Sequence, residues 1–233
     1  MQQSRLSISP GIIMFYATDT PHGLPFDPFK ALVVPRPIGW VSTLSADGTA
    51  NLAPFSFFNA VSDNPHMIMF SVGWRNDTLR NIEETGECTC SFVSKAMTDT
   101  MNMSSAGVDR DVDEFALAGL DTTASALVAP PRVSASPAAL ECKLWQTIAL
   151  PAGPGKDSGY TMVLATVIGV YINDDYLVDG RVDTAAMQPL ARLGYMDYAA
   201  ITADNIFSLN RPKVGADGKT ATLQTGPWNG QYT

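Results

Sequence analysis

The feature that most constrains this 233-residue chain is a run of alternating apolar and polar residues from Pro35 to Gly73. Alternation with a period of two is typical of half-buried β-strands, and the Asp47-Gly48 pair inside the run is a strong hairpin signal. Pro54 removes a ladder donor and frees neighbouring backbone groups, while Pro35 and Pro37 predict that the first strand starts at a barrel rim or a sheet edge. The run therefore predicts antiparallel strands, one of which leaves backbone groups free for a ligand.

The rest of the chain adds strands and a few helices. A helix is predicted after Gly73, with Asn76 or Asp77 as its N-cap and Gly86 at its end. Residues 30 to 45 are interpreted as one strand, and NLAPFSFFNAVS as the strand that returns from the hairpin. Further strands are predicted in HMIMFSV, CTCSFVS, ALECKLWQTIAL and YTMVLATVIGVYIN, with shorter helices in KAMTDTMNMSS and DVDEFALAGL. This order predicts a mainly β protein, an antiparallel barrel with inserted helices.

Composition excludes several classes of partner. The formal net charge is −8, with 15 Lys and Arg against 23 Asp and Glu, so nucleic acid is not expected as a partner. No apolar run reaches the roughly 18 residues of a membrane helix, and the N-terminus lacks a secretory segment, so we expect a cytoplasmic protein without a membrane contact. The three cysteines are an odd number, which predicts buried thiols rather than a disulfide framework.

Side chains for acid–base or metal chemistry are scarce. The two histidines, His22 and His66, are too far apart in sequence to suggest a metal pair, and no Gly-x-Ser-x-Gly elbow occurs. We therefore predict no metal site and no catalytic side chain. If the chain is an enzyme, a cofactor supplies the chemistry.

The region from Arg36 to Asn81 offers what a flavin nucleotide needs. Free backbone groups around Pro54, and Ser56 on the same strand face, suit the polar edge of a flat ring. The helix near Asp77 directs its N-terminus at the preceding loop, where Arg75 and Thr78 suit a phosphate. The same residues are equally an ordinary helix cap and a surface charge, so the pattern alone leaves both interpretations open.

Three motifs resemble one known family. They are VVPRPIGWVSTLSADGTANLAPFSFFNAVSDNPHMIMFSVG, RNDTLRNIEETGE and YINDDYLVDGRVDTAAMQPLARLGYMDYA. In this order they resemble the flavin reductase-like, flavoredoxin-type proteins of the FMN-binding split-barrel superfamily. The resemblance runs from about Phe26 to Pro212. It divides the chain into a lead segment (1–25), the split-barrel domain (26–212) and a C-terminal arm (213–233).

The resemblance implies a homodimer of six-stranded Greek-key split barrels that binds FMN, or in some members FAD, near the dimer interface. By position, Ser42 and Thr43 would lie beside the ribityl chain or phosphate, and Arg75, Thr78 and Asn81 would hold the phosphate. The implied ring contacts are Ala53, Pro54, Phe55, Ser56 and Asn59. The late motif supplies Arg192, Gly194 and Tyr198, with Tyr195 where the branch often has a second glycine.

The family also implies a function. We expect an NAD(P)H-dependent flavin reductase, in which NADH or NADPH passes a hydride to flavin N5 and a monooxygenase or another acceptor protein receives the electrons. A flavin-binding electron carrier or sensor without this activity is the main alternative. A pyridoxamine-phosphate-oxidase-like enzyme and a cofactor-free β-barrel interaction module also remain open.

Overall fold

The structure, a computed structural model, describes residues 14–153, 155–156 and 159–230. The first 13 residues of the predicted lead segment and the last three of the predicted arm lie outside the described residues.

Strands dominate the described chain. In chain order they are β1 Arg36–Pro37, β2 Gly39–Leu44, β3 Ala50–Phe55, β4 Phe58–Asp63, β5 His66–Val72, β6 Glu87–Ser91, β7 Thr122–Thr123, β8 Arg132–Val133, β9 Ala138–Ala149, β10 Thr161–Ile172, β11 Leu177–Val178, β12 Arg181–Val182, β13 Leu190–Arg192, β14 Tyr198–Ala200, β15 Lys213–Val214 and β16 Ala221–Thr222. The α-helices are α1 Phe29–Leu32, α2 Asp77–Thr85, α3 Thr98–Met103, α4 Glu114–Leu117 and α5 Thr184–Met187, and 3₁₀ turns cover Lys95–Met97, Asp174–Tyr176 and Ala203–Asn205.

The principal sheet is antiparallel and has the strand order β3-β2-β6-β9-β10-β5-β4. Its two edge strands, β3 and β4, are joined by only Ser56 and Phe57, so the sheet must curl until its edges meet. At this junction the Ser71 N–H donates to the Phe57 carbonyl at 2.9 Å, and Gly39 packs against the Phe58 ring where a Cβ would clash. The molecule is therefore a split barrel.

The mainly β, antiparallel split-barrel class is confirmed, but the principal sheet has seven strands instead of six. We expected one strand across NLAPFSFFNAVS. The chain breaks at Ser56-Phe57, and its halves occupy opposite edges of the sheet, because the edge strand β3 ends where the barrel opens.

A hydrophobic core fills each side of β2. Inside the barrel, Val41 packs with alternating residues of β5, β6 and β10 and with Leu79 and Ile82 of α2. On the other face, Trp40 packs with Leu52, with residues of α3 and with Phe115 of α4. The Trp40 indole N–H is satisfied by the Ser104 hydroxyl at 2.8 Å. The inserted helices are thus the second layer over the barrel wall that carries β2 and β3.

Local signals explain the helices near the opening. In α2, the Asn76 side chain accepts the Leu79 N–H at 3.0 Å and Gly86 ends the helix with φ 75°, as predicted. Residues 30–32, which we interpreted as strand, form the end of α1 instead. Asp27 accepts the Phe29 N–H at 2.9 Å and so starts a helical turn. Arg36 then donates to the carbonyls of Lys30 and Val33. These bonds satisfy carbonyl groups at the C-terminal end of α1.

The remaining predictions concern the thiols and the termini. Cys88, Cys90 and Cys142 are free and buried, as expected. Among the described residues, no helix is long and apolar enough to cross a membrane. The described part of the predicted arm carries the short hairpin β15–β16, whose residues are exposed. The domain limits 26 and 212 stay predictions.

Candidate flavin site

A cleft of about 550 Å³ opens where the barrel splits. Its walls come from the end of β3, the loop between β5 and α2, and the loop after α3. They are lined by Lys30, Asn51, Ala53 to Phe57, Ser71 to Asp77, Arg80, Ser104 to Val108, Glu114 and Tyr160. The volume lies within the range of ligand sites, which is roughly 300–1,000 Å³.

The register of β3 decides which backbone groups face this cleft. Within the described part of the chain β3 pairs only with β2, and the Leu52 N–H donates outward to Glu114 Oε2 at 3.0 Å instead of to β2. Backbone groups of successive residues point to alternate edges of a strand. The N–H and C=O groups of Ala53 and Phe55 therefore point toward β2 and bond with it. The carbonyls of Leu52 and Pro54 point to the free edge, where Pro54 has no N–H to offer. The free edge therefore presents acceptors.

Ala53, Pro54, Phe55 and Ser56, the predicted ring contacts, all line the cleft. The register changes what each one can offer. Ala53 presents its side chain and Pro54 its carbonyl, the Phe55 ring packs against Phe70 of the barrel core, and Ser56 lies beyond the strand end. Asn59, the fifth predicted contact, is exposed on β4, where its side chain accepts the Ala60 N–H at 2.9 Å, and it does not line the cleft.

The opposite wall is the N-terminus of α2. Arg75, Asn76, Asp77 and Arg80 line it, and the first-turn N–H groups give it partial positive charge. Arg75 is largely exposed, and its Nη1 lies 2.6 Å from Glu83 Oε2. This wall has the elements of an anion site, and the phosphate contact of Arg75 stays a prediction.

A buried polar network lies beneath this wall. The Asn51 amide donates to the Thr43 hydroxyl at 3.1 Å and to the Thr78 hydroxyl at 2.9 Å, and the Asn81 amide donates to Thr43 at 3.1 Å. Of these four residues, only Asn51 lines the cleft. The structure thus places Thr43, Thr78 and Asn81 behind the wall, where they fix α2 to β2 and β3. The Asn81 Oδ1 atom is buried and has no partner in the described part of the chain.

Ser42 is buried on the far side of the wall. Its hydroxyl donates to the carbonyls of Pro131 and Thr89, the latter at 3.3 Å. Side chains alternate along β2, so Ser42 points away from the face that Thr43 occupies. The structure does not bring Ser42 into the cleft.

The late motif forms a separate loop against α1. The Arg192 guanidinium bonds the Tyr198 hydroxyl and lies 4.5 Å from the centre of its ring. It also donates to the Tyr195 carbonyl at 2.5 Å. Tyr195 adopts φ 52°, a left-handed conformation that favours glycine, and its ring contacts Phe26 at 6.0 Å between centroids. Arg192 and Tyr198 do not line the cleft of their own chain.

Sequence reasoning missed several polar residues of the cleft, among them Asn51 and Glu114. Asn51 shares a strand face with Ala53, a contact implied by the family resemblance, so alternation along the strand could have added Asn51. Glu114 had no such signal, because it reaches Leu52 from 62 residues away through α4. Burial raises the pKa of the Glu114 carboxyl, and the charges of Asp77 and Asp113 raise it further, while the Leu52 N–H lowers it.

Aromatic side chains line one end of the cleft. The rings of Phe57 and Tyr160 lie 5.5 Å apart, and Gly73 packs on Tyr160, where a Cβ would lie 3.1 Å from the ring. Trp74 is 74% exposed at the mouth. Among the described residues, no three His, Cys, Asp or Glu side chains cluster as metal ligands. The fold and the cleft together define a split-barrel protein whose main site suits a flat, partly anionic ligand.

Comparison with known proteins agrees with this class. The model of the flavin reductase like domain matches residues 31–187. An uncharacterised protein of Halalkalibacterium halodurans is 34% identical over 78% of this chain and 88% of its own length. The chain therefore belongs to the flavin reductase-like family.

Two solved structures are also similar. Nitrilotriacetate monooxygenase component B of Bacillus cereus is 27% identical, with a TM-score of 0.72 over 89% of this chain and 100% of that one. The 2-nitrobenzoate 2-nitroreductase of Pseudomonas fluorescens is 28% identical, with a TM-score of 0.69 over 80% of this chain and 92% of that one.

Proposed function

We propose that the cleft binds FMN and that the chain is an NAD(P)H-dependent flavin reductase. The observation that carries this proposal is one cleft with a free strand edge on one wall and a helix N-terminus with Arg75 on the other, in a chain of the flavin reductase-like family. A bound flavin would supply the chemistry by accepting a hydride from nicotinamide. The protein would bind, orient and shield the reactants.

The residues present fit this cofactor. The Pro54 carbonyl, which has no strand partner among the described residues, suits the one N–H donor on the edge of the oxidised ring. Phe57 and Tyr160 provide apolar surface for a ring face. The first turn of α2 and Arg75 suit the phosphate, and Thr43, Thr78 and Asn81 support them from behind. FAD would need room for an adenine half beyond this wall.

The family supports two further proposals about partners. We expect a homodimer, because Phe26, Phe29, Leu32, Tyr195 and Met196 form an exposed apolar region around α1 and the late loop. Light scattering on the purified chain tests this. The similarity to a monooxygenase component suggests that reduced flavin or its electrons pass to an oxygenase.

Anaerobic titration of the FMN-loaded protein with NADH, and separately with NADPH, tests the activity. Rapid loss of the flavin's visible absorption with either donor would support the reductase and identify its donor. Bound flavin that neither donor reduces would refute the reductase and favour the electron carrier or sensor. A protein that takes up no flavin would refute both.

A further inference from the structure

The carboxylate of Glu114 has no use in the function proposed so far. It lies in the cleft wall, is only 9% exposed, and forms no salt bridge within the described residues. The other acid of the cleft is Asp77, whose Oδ1 atom lies 2.9 Å from Arg110 Nη1 and 3.3 Å from Arg80 Nη1. A buried carboxylate without a cation is costly unless hydrogen bonds compensate for the lost water.

The position of Glu114 indicates which ligand group would compensate. Glu114 bonds the backbone of Leu52, which lies between Asn51, bonded to Thr78 of α2, and Pro54 at the free edge. The carboxylate therefore stands between the wall that suits a phosphate and the wall that suits a ring. In a flavin nucleotide, the group between the ring and the phosphate is a sugar alcohol that carries hydroxyl donors. An ionised carboxylate accepts hydrogen bonds only, which matches such donors.

We propose that Glu114 is a ligand-binding residue that accepts a hydrogen bond from a hydroxyl of the ribityl chain. This inference rests on the proposed flavin site. The bond to Leu52 N holds one carboxylate oxygen in place, so little side-chain entropy is lost when the ligand binds.

Binding of uncharged flavins tests the contact. Riboflavin has the ribityl hydroxyls, and lumiflavin has the same ring without them. E114Q keeps an acceptor for Leu52 N but replaces a charge-assisted bond with a neutral one, so riboflavin affinity should fall roughly threefold to tenfold while lumiflavin affinity stays unchanged. E84Q removes one charge from the nearby helix α2 at an exposed position and should change neither affinity.

The outcomes separate the two claims. Riboflavin affinity that is unchanged in E114Q, or an equal loss for both flavins, would overturn the hydroxyl contact and leave the flavin site standing. A wild-type chain that binds none of riboflavin, lumiflavin and FMN would overturn the proposed function itself.

Stability of the ligand-free protein provides a second readout that needs no flavin. Because the pKa of Glu114 is raised in the folded chain, its stabilising contribution is complete below the pKa of the unfolded chain and is lost as the pH rises through the folded value. The melting temperature of E114Q relative to that of the wild type should therefore increase as the pH rises from acidic to neutral. This change with pH should disappear below about pH 4, where the unfolded carboxyl is protonated too.

The charged groups around Glu114 stay in place in this variant. They are Asp77 of α2, Asp113 of the same turn, and Lys30, Arg75 and Arg80 in the cleft wall. A melting temperature of E114Q that does not rise relative to the wild type between acidic and neutral pH would show that the ligand-free protein holds no uncompensated carboxylate here, and it would overturn the proposal.

Discussion

The two long walls of the cleft differ in how many of their polar groups already have a partner within the chain. At the wall of α2, Asn76 caps the helix, Asp77 is paired with two arginines, and Asn51 of β3 bonds two hydroxyls beneath the helix. On the wall of β3, the described residues provide no strand partner for the Pro54 carbonyl and no cation for Glu114. The first wall is built as a rigid support, whereas the second keeps hydrogen-bonding capacity for a ligand. The predictions below test this difference, from the largest expected effect to the smallest.

Asn51→Ala should break the support. It removes two buried hydrogen bonds and takes the donor from the Thr78 hydroxyl, while Thr43 keeps only the bond from Asn81. We expect the free energy of unfolding to fall by about 2–3 kcal/mol, measured by urea denaturation. Asn59→Ala, at an exposed position on β4, is the matched control and should stay within about 0.5 kcal/mol. Equal losses in the two variants would contradict the supporting role of the network.

Ser56→Leu should block the second wall without unfolding the chain. The residue lies where β3 ends in the cleft, so the larger side chain occupies ligand space. We expect FMN affinity to fall about 10- to 100-fold in an equilibrium titration, with an unchanged melting temperature. Ser62→Leu adds the same bulk on β4, away from the cleft, and should bind FMN normally. Normal FMN binding by Ser56→Leu would remove Ser56 from the site.

Arg75→Ala should separate FMN from riboflavin, because only FMN carries the phosphate. Arg75 is largely exposed, so we expect a modest loss, roughly fivefold for FMN and none for riboflavin. Lys143→Ala removes another exposed, ion-paired cation, one that does not line the cleft. If it has the same effect on FMN, the loss reflects net charge, and the phosphate assignment fails.

Glu83→Gln should have the smallest effect. The Arg75–Glu83 pair is exposed, and such pairs contribute about 0–1 kcal/mol. We expect stability within about 0.5 kcal/mol of the wild type and a slightly tighter FMN complex, since Arg75 is released toward the phosphate. A clear loss of FMN affinity would show that Glu83 holds Arg75 in its binding position.

Local sequence patterns predicted those parts of the fold that depend on near neighbours. Alternation predicted the strands, Asp47-Gly48 predicted the hairpin, and Asn76 with Gly86 bounded α2. Strand interruptions and hydrogen bonds that depend on residues distant in sequence were not predictable in this way. The split at Ser56-Phe57 follows from closure of the barrel, and no pattern near Glu114 indicates its bond to Leu52.

The predicted site shows the same limit. Ser and Thr in a strand or helix look alike in sequence whether the hydroxyl faces a ligand or an internal partner. Thr43 and Thr78 accept bonds from Asn51, and Ser42 bonds two carbonyls on the other face. Ala53 to Ser56 and Arg75 line the cleft because a strand end and a helix start meet there.

A crystal structure of the protein with FMN tests the central claim most directly. The account predicts the flavin between the free edge of β3 and the N-terminus of α2, with its phosphate beside Arg75 and its ribityl chain beside Glu114. Flavin bound instead in the second, apolar cavity of about 240 Å³ lined by Ile38, Phe92 and Leu190 would contradict it. So would a crystal grown with saturating FMN that contains none.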